Sequence, residues 1–229
     1  TDVGGPTVTQ EVSLPVGDVN EGPSDIALSN ASVDENAAGA VVGTLSTTDV
    51  DDGDTHSYAV DDARFEVVGG ELKLKDGVSL DHESESSVAV EVTTTDASGA
   101  TYSETFSIAV GDVNEGPSDI ALSNASVDEN AAGAVVGTLS TTDVDDGDTH
   151  SYAVDDARFE VVGGQLKLKD GVSLNHEAAD SVDVEVTTTD ASGATYSETF
   201  SIAVGDVNEG PSDIALSNAS VDENAAGAV

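Results

Sequence analysis

Cysteine, methionine and tryptophan are absent from the 229 residues, and only four Tyr and four Phe are present. Without cysteine the chain has no disulfide, no thiolate metal site and no cysteine nucleophile. Basic residues are scarce as well: 6 Lys plus Arg stand against 46 Asp plus Glu, a formal charge of −40. A chain this acidic excludes a nucleic-acid backbone or an anionic membrane face as partner. No run of about 18 apolar residues occurs, so no membrane-spanning helix is expected. Thr1 is followed by no signal-like apolar stretch, which reads as a mature piece or an excised fragment. At 38% hydrophobic, mostly Ala and Val, the chain sits close to the composition at which disorder wins. A folded reading therefore has to say what neutralises the acid.

What is present is a repeat. Asp18-Val19-Asn20-Glu21-Gly22-Pro23 recurs at Asp112–Pro117 and at Asp206–Pro211, a period of 94 residues each time. Residues 18–111 and 112–205 differ at six positions only: Glu71/Gln165, Asp81/Asn175, Ser84/Ala178, Glu85/Ala179, Ser86/Asp180 and Ala89/Asp183. Residues 1–17 align with 95–111 and read as the last strand of a preceding repeat, and 206–229 restate 18–41 and read as the opening of a following one. The period is too long for a solenoid unit and suits a string of independent domains.

Within a unit the apolar period is two. Phe65-Glu66-Val67 and Leu72-Lys73-Leu74 alternate on either side of Gly69-Gly70, a hairpin signal. Val88–Val92 and Phe106–Val110 alternate as well, and shorter candidates lie at 26–29, 41–47 and 57–60. Seven strands in about ninety residues predict an all-β fold, an antiparallel Greek-key sandwich in each unit. Leu45, Tyr58, Phe65, Leu72, Leu74, Val90, Phe106 and Ile108 are its candidate core.

The carboxylates recur in sets at turns and strand ends: Asp34-Glu35-Asn36, Asp49-x-Asp51-Asp52-Gly53-Asp54, Asp81-His82-Glu83, Asp96 of Thr-Asp-Ala-Ser-Gly, and Asp112-Val113-Asn114-Glu115. Like charges a few ångströms apart cost about 1 kcal/mol per pair in water and about 4 near a protein surface. Sets of this size at one pole of a sandwich call for a hard cation that takes six to eight oxygens, and Ca²⁺ tolerates irregular geometry better than Mg²⁺.

In this order and spacing the five motifs resemble the calcium motifs of cadherin repeats, and more closely those of the cadherin-like repeats of large bacterial surface adhesins. The resemblance covers both full units. It implies about three Ca²⁺ ions at a junction between consecutive domains. At the central junction it implies Glu35, Asp81 and Glu83 from the upstream unit. Asp112, Asn114 and Glu115 would come from the linker, and Asp143, Asp145 and Asp190 from the downstream unit, with a carbonyl near Asp148. The corresponding partial sets are Asp18, Asn20, Glu21, Asp49, Asp51 and Asp96 at the first junction, and Glu129, Asn175, Glu177, Asp206, Asn208 and Glu209 at the last. Three departures stand out. The linker is one residue shorter than the animal pattern, Asn175 replaces a ligand Asp, and no Trp is available for strand-swapped adhesion.

Other readings explain less. A halophile-type acidic surface accounts for the charge but not for Asp-x-Asp and Asp-x-Glu recurring at strand ends. An EF-hand needs Gly one place later than Gly53 and a Glu where Val60 stands. His82 and His176 read as outward spacers between ligands, and Asn30, Asn124 and Asn218 satisfy glycosylation sequons. No nucleophile elbow or His-Glu-x-x-His accompanies the carboxylates, so no enzyme is expected. The sequence therefore predicts calcium-rigidified extender repeats of an extracellular adhesin or surface filament at a bacterial cell surface. Each unit would add about 40 Å of length. The expected partners are neighbouring repeats, with like arrays or cell-surface glycans as the alternative, binding-module reading.

Overall fold

The period-two segments form strands throughout a computed structural model that describes residues 4–5, 9–17, 19–211, 213–216, 220 and 223. Among the described residues there is no helix, and so none long and apolar enough to cross a membrane. The chain divides into two units, Thr1–Val113 and Asn114–Val229. The repeat period puts the boundary at 111/112; the change of unit comes two residues later because Val113 N–H bonds Glu35, whereas Asn114 bonds Asp190. The described residues of 1–17 and 206–229, read above as parts of neighbouring repeats, carry no strand.

In unit 1 the strands are β1 (Asp25–Leu28), β2 (Ser32–Asp34), β3 (Val41–Thr48), β4 (Ser57–Val60), β5 (Phe65–Val68), β6 (Glu71–Leu74), β7 (Ser87–Thr95) and β8 (Thr101–Gly111). They form two sheets, in the orders β1-β3-β6-β5 and β2-β8-β7-β4. Every pairing is antiparallel except β2 with β8. Unit 2 repeats this with β9 (Asp119–Leu122), β10 (Ser126–Asp128), β11 (Val135–Thr142), β12 (Ser151–Val154), β13 (Phe159–Val162), β14 (Gln165–Leu168), β15 (Ser181–Thr189) and β16 (Thr195–Gly205). With β1 and β2 taken as one strand that changes sheets, each unit is a seven-stranded sandwich. Gly69 and Gly70 close the β5–β6 hairpin with φ of 62° and 83°, the type I′ geometry that Gly-Gly permits.

Leu45, Phe65, Leu72, Leu74, Val90 and Ile108 are buried between the sheets, and Tyr58 and Phe106 pack against them at the margin. Ile26, Val33, Val42, Leu80, Val88, Val92 and Val110 complete the core. Each fully buried aliphatic or Phe side chain contributes about 1.5–3 kcal/mol, which lets so Ala-rich a chain fold. Thr47 Oγ1 joins the sheets through hydroxyl contacts to Tyr58 (2.8 Å) and the fully buried Thr94 (2.9 Å).

The sequence signal missed β2, and the reason is visible at the crossover. Asn30 Nδ2 donates to Ser32 O (2.8 Å) and Val42 O (2.7 Å), pinning the turn against the bulge between Val41 and Gly43. The sequon at Asn30 is thus a structural latch with both amide hydrogens in use, and Asn124 repeats it. A Cβ on Gly43 would lie 2.7 Å from Asn30 O and 2.9 Å from Asn30 N, both backbone atoms. Gly43→Ala is therefore expected to destabilise unit 1 by about 1–3 kcal/mol, read as a lower urea midpoint with unchanged slope.

Candidate metal centre

The acidic turns fall at the two ends of β7 and β8. At one end, Asp96 follows β7 and folds its own turn: its Oδ1 accepts Ser98 N–H (2.9 Å) and Ala100 N–H (2.8 Å). Its Oδ2 accepts Asn20 Nδ2 (2.9 Å), and Asn20 Oδ1 accepts Ser98 Oγ–H (2.6 Å). Asp51 accepts Glu21 N–H at 2.8 Å. One carboxylate oxygen each from Asp49, Asp54 and the 6%-exposed Asp96 then lie within 4.8 Å of one another. Oδ2 of Asp54 is buried with no hydrogen-bond partner.

Unit 2 builds the same set from Asp143, Asp148 and Asp190, with Asp190 bonded to Asn114 Nδ2 (3.1 Å), Gly193 N–H and Ala194 N–H. Asp145 Oδ2 accepts Glu115 N–H (2.9 Å), while Asp145 Oδ1 and Asp148 Oδ2 are buried without partners. The resemblance had given the Asp148 region only a carbonyl; in both units the structure brings a side-chain carboxylate there. His56 and His150, which the sequence gave no reason to single out, hold Asp49 and Asp143 through Nε2 at 3.0 and 2.8 Å.

At the other end of unit 1 stands Glu35, only 3% exposed. Its Oε2 accepts His82 N–H (2.7 Å) and its Oε1 accepts Val113 N–H (2.9 Å). Ligand atoms of His82, Glu83 and Asp112 lie within 4.8 Å of one another; at this end of unit 2 the group is Glu129, Glu177 and Asp206, with the repeat counterpart of Glu35 in place of the histidine. Glu129 accepts His176 N–H and Val207 N–H, both at 2.9 Å. Asp81 instead caps a turn by accepting Ser84 N–H, as Asn175 does for Ala178. Glu209 Oε1 accepts Asn130 Nδ2 (2.6 Å), and Asn208 Nδ2 donates to Glu209 O (3.3 Å). Asp18 and the Asn218 sequon lie outside the described residues. The histidines are not outward spacers. His82 and His176 are half-buried, with Nδ1 tied to Val110 O and Val204 O at 2.7 Å.

No Lys or Arg is placed at these sets. Every basic residue lies in 64–75 or 158–169, and the ion pairs of Arg64 and Lys73 go to Asp62, Glu85, Glu66 and Asp76. Hydrogen-bond donors hold the pole carboxylates ionised instead. Backbone N–H groups of His82 and Val113 lower the pKa of Glu35, the His56 contact lowers that of Asp49, and the Asn20 amide lowers that of Asp96. Glu83 moves the other way. Its own backbone N–H favours the anion, but desolvation and the charges of Glu35 and Asp112 outweigh it. That repulsion is what a bound cation would relieve.

The shifts set a pH dependence. Depressed carboxylates such as Glu35 and Asp96 stabilise the fold above the ordinary carboxylate range, and that contribution is lost as pH falls through their folded values. His82 and His176 are raised, first by the Val110 and Val204 carbonyls, so their contribution is full below the ordinary imidazole range and lost as pH rises. Without divalent ions, thermal unfolding should therefore be highest at about pH 5–6 and fall on both sides.

No family model matches the chain. Among solved structures it is similar to PcdhgB3 EC1-4, at 24% identity and TM-score 0.67, over 84% of this chain and 52% of that one. Protocadherin Gamma B7 extracellular cadherin domains 1-4 match at 20% identity and TM-score 0.59, over 78% and 49%. Human Protocadherin-24 EC1-2 matches at 21% and 0.64, over 83% and 100%. The chain spans about half the length of the first two. The likeness is one of fold: both units are cadherin-type sandwiches.

Proposed function

We propose that this chain is a tandem array of calcium-binding cadherin-like units that serves as an extracellular extender, holding another part of an adhesin or surface filament away from its anchor. The observation that carries the reading is the carboxylate trio of each unit, Asp49, Asp54 and Asp96 or Asp143, Asp148 and Asp190. It includes a buried, unpartnered oxygen and has no lysine or arginine to balance it. Three converging carboxylate oxygens and no sulfur suit a hard dication that tolerates irregular geometry. Asn20 and Asn114 bond the trios at Asp96 and Asp190, while Asp51 and Asp145 of the same turns accept Glu21 N–H and Glu115 N–H. Glu35, Glu83 and Asp112, and Glu129, Glu177 and Asp206, would supply oxygens at the other end.

Two further observations favour a spacer over a glycan-binding module. The aromatic side chains of unit 1 are drawn inward: Phe65 is buried, while Tyr58, Tyr102 and Phe106 pack on the core. The two units are also nearly identical, which suits a part that contributes length. An extracellular setting follows the proposal, since sites of this chemistry bind with Kd of about 10⁻⁴–10⁻³ M and fill only in a calcium-rich medium.

Calorimetric titration with Ca²⁺ tests the reading. Asp54→Asn with Asp148→Asn should weaken binding at the trios by about tenfold or more, since each removes a charged ligand. Binding unchanged in the double variant, or absent in the parent chain, would remove the basis of the proposal.

A further inference from the structure

The C-terminal pole of unit 1 differs from the all-oxygen trio in one respect that matters chemically: an imidazole nitrogen is among its converging ligand atoms. We propose that His82, Glu83 and Asp112 form a second kind of metal site, one that takes a borderline transition-metal dication such as Zn²⁺ through one ring nitrogen and two carboxylates.

Ligand atoms of the three residues lie within 4.8 Å of one another. Ligands about 2.0–2.2 Å from a tetrahedral Zn²⁺ stand some 3.3–3.6 Å apart, so a small side-chain adjustment closes the site. The orientation of the histidine is the second observation. Nδ1 meets the Val110 carbonyl at 2.7 Å, and a carbonyl can only accept, so Nδ1 carries the hydrogen and the neutral ring keeps its lone pair on Nε2. A backbone carbonyl on one ring nitrogen is the arrangement that fixes a metal-ligating histidine in its tautomer. The His82 main chain is fixed as well, by its N–H bond to buried Glu35. His56 contrasts with this, because its Nε2 is already engaged by Asp49. Imidazole nitrogen favours Zn²⁺, Ni²⁺ or Cu²⁺ over Ca²⁺, so the ligand type at this pole selects a borderline dication where the all-oxygen trio at the other pole selects a hard one.

Unit 2 supplies an internal comparison. His176 keeps the carbonyl bond to Val204, but the converging ligand atoms there belong to Glu129, Glu177 and Asp206. The nitrogen contribution is therefore assigned to His82 first. The site shares Glu83 and Asp112 with the calcium reading but does not depend on it.

Co²⁺ absorption spectroscopy with Zn²⁺ competition, on the full chain freed of divalent ions, tests the proposal. His82→Asn is the informative variant, because its amide can still donate to Val110 O while the Nε2 ligand is removed. Zn²⁺ affinity should fall by at least about tenfold in His82→Asn and by less in His176→Asn, with Ca²⁺ affinity changed by less than about twofold. Equal Zn²⁺ affinity in the parent chain and His82→Asn would overturn it. Should His82→Asn fail to fold, the ¹⁵N resonance of His82 Nε2 in the parent chain decides: a large shift on adding Zn²⁺ supports the site, and no shift at saturation refutes it. Zn²⁺ binding through His82 without any Ca²⁺ binding would sink the proposed function and leave this site standing. Ca²⁺ binding with a silent His82 would do the reverse.

Discussion

Raising free Ca²⁺ from chelated levels to about 10 mM lifts the unfolding temperature of the chain by roughly 6–20 °C, while Mg²⁺ at the same concentration lifts it far less. The size follows from linkage. A site with Kd of about 10⁻⁴–10⁻³ M stabilises the folded state by some 1.4–2.7 kcal/mol at that concentration. In a domain of this size each kcal/mol is worth about 4–8 °C. The source of the effect is the trio of Asp49, Asp54 and Asp96, whose oxygens converge with no lysine or arginine beside them. Mg²⁺ responds weakly because it demands near-ideal octahedral geometry at short distances and gives up its water reluctantly, whereas this trio sits on irregular turns. Scanning calorimetry in chelator, Ca²⁺ and Mg²⁺ reads the difference directly. Equal curves in all three would leave the carboxylates as surface solvation.

Phe65→Ala splits a single broad unfolding transition into two. Phe65 is 1% exposed and stands among Leu45, Leu72 and Leu74, so its removal leaves a cavity in a core with few large side chains to refill it. The expected cost is about 3–5 kcal/mol, which moves the unit 1 transition down by at least about 12 °C. Unit 2 has its own core around Phe159 and should melt where it did before. Phe159→Ala should give the mirror result. A single transition displaced as a whole would show that the two cores unfold as one.

Much of this was legible in the sequence because the signals were local. Gly69-Gly70 between two alternating runs specifies the β5–β6 hairpin, and the alternation of Val88, Val90 and Val92 specifies which face of β7 is buried. β2 was illegible because Ser32-Val33-Asp34 turns one apolar residue inward and depends on a parallel pairing with Ser32 opposite Ala109, far away in the chain. The first half of β8 was hidden by Glu104, which occupies a half-buried position between Tyr102 and Phe106 and breaks the apolar alternation.

At the candidate centre, the motifs pointed to these turns but did not say which of their carboxylates converge. Which carboxylate of Asp49-Val50-Asp51-Asp52-Gly53-Asp54 faces Asp96 depends on how the turn folds after β3, and the answer is Asp49 and Asp54, with Asp51 turned to Glu21 N–H. The burial of Glu35 and the inward turn of His82 likewise depend on β8 ending beside them.

The central claim is that Ca²⁺ converts this chain into a stiff spacer, and small-angle X-ray scattering on the intact chain tests it most directly. In a few millimolar Ca²⁺ the account predicts the profile of an extended rod, with a distance distribution that narrows in cross-section and reaches a defined maximum. In chelator, repulsion among carboxylates should give a broader, flexible profile, and Mg²⁺ should not restore the rod. An identical profile with and without Ca²⁺ would contradict the account and move the search for function to binding.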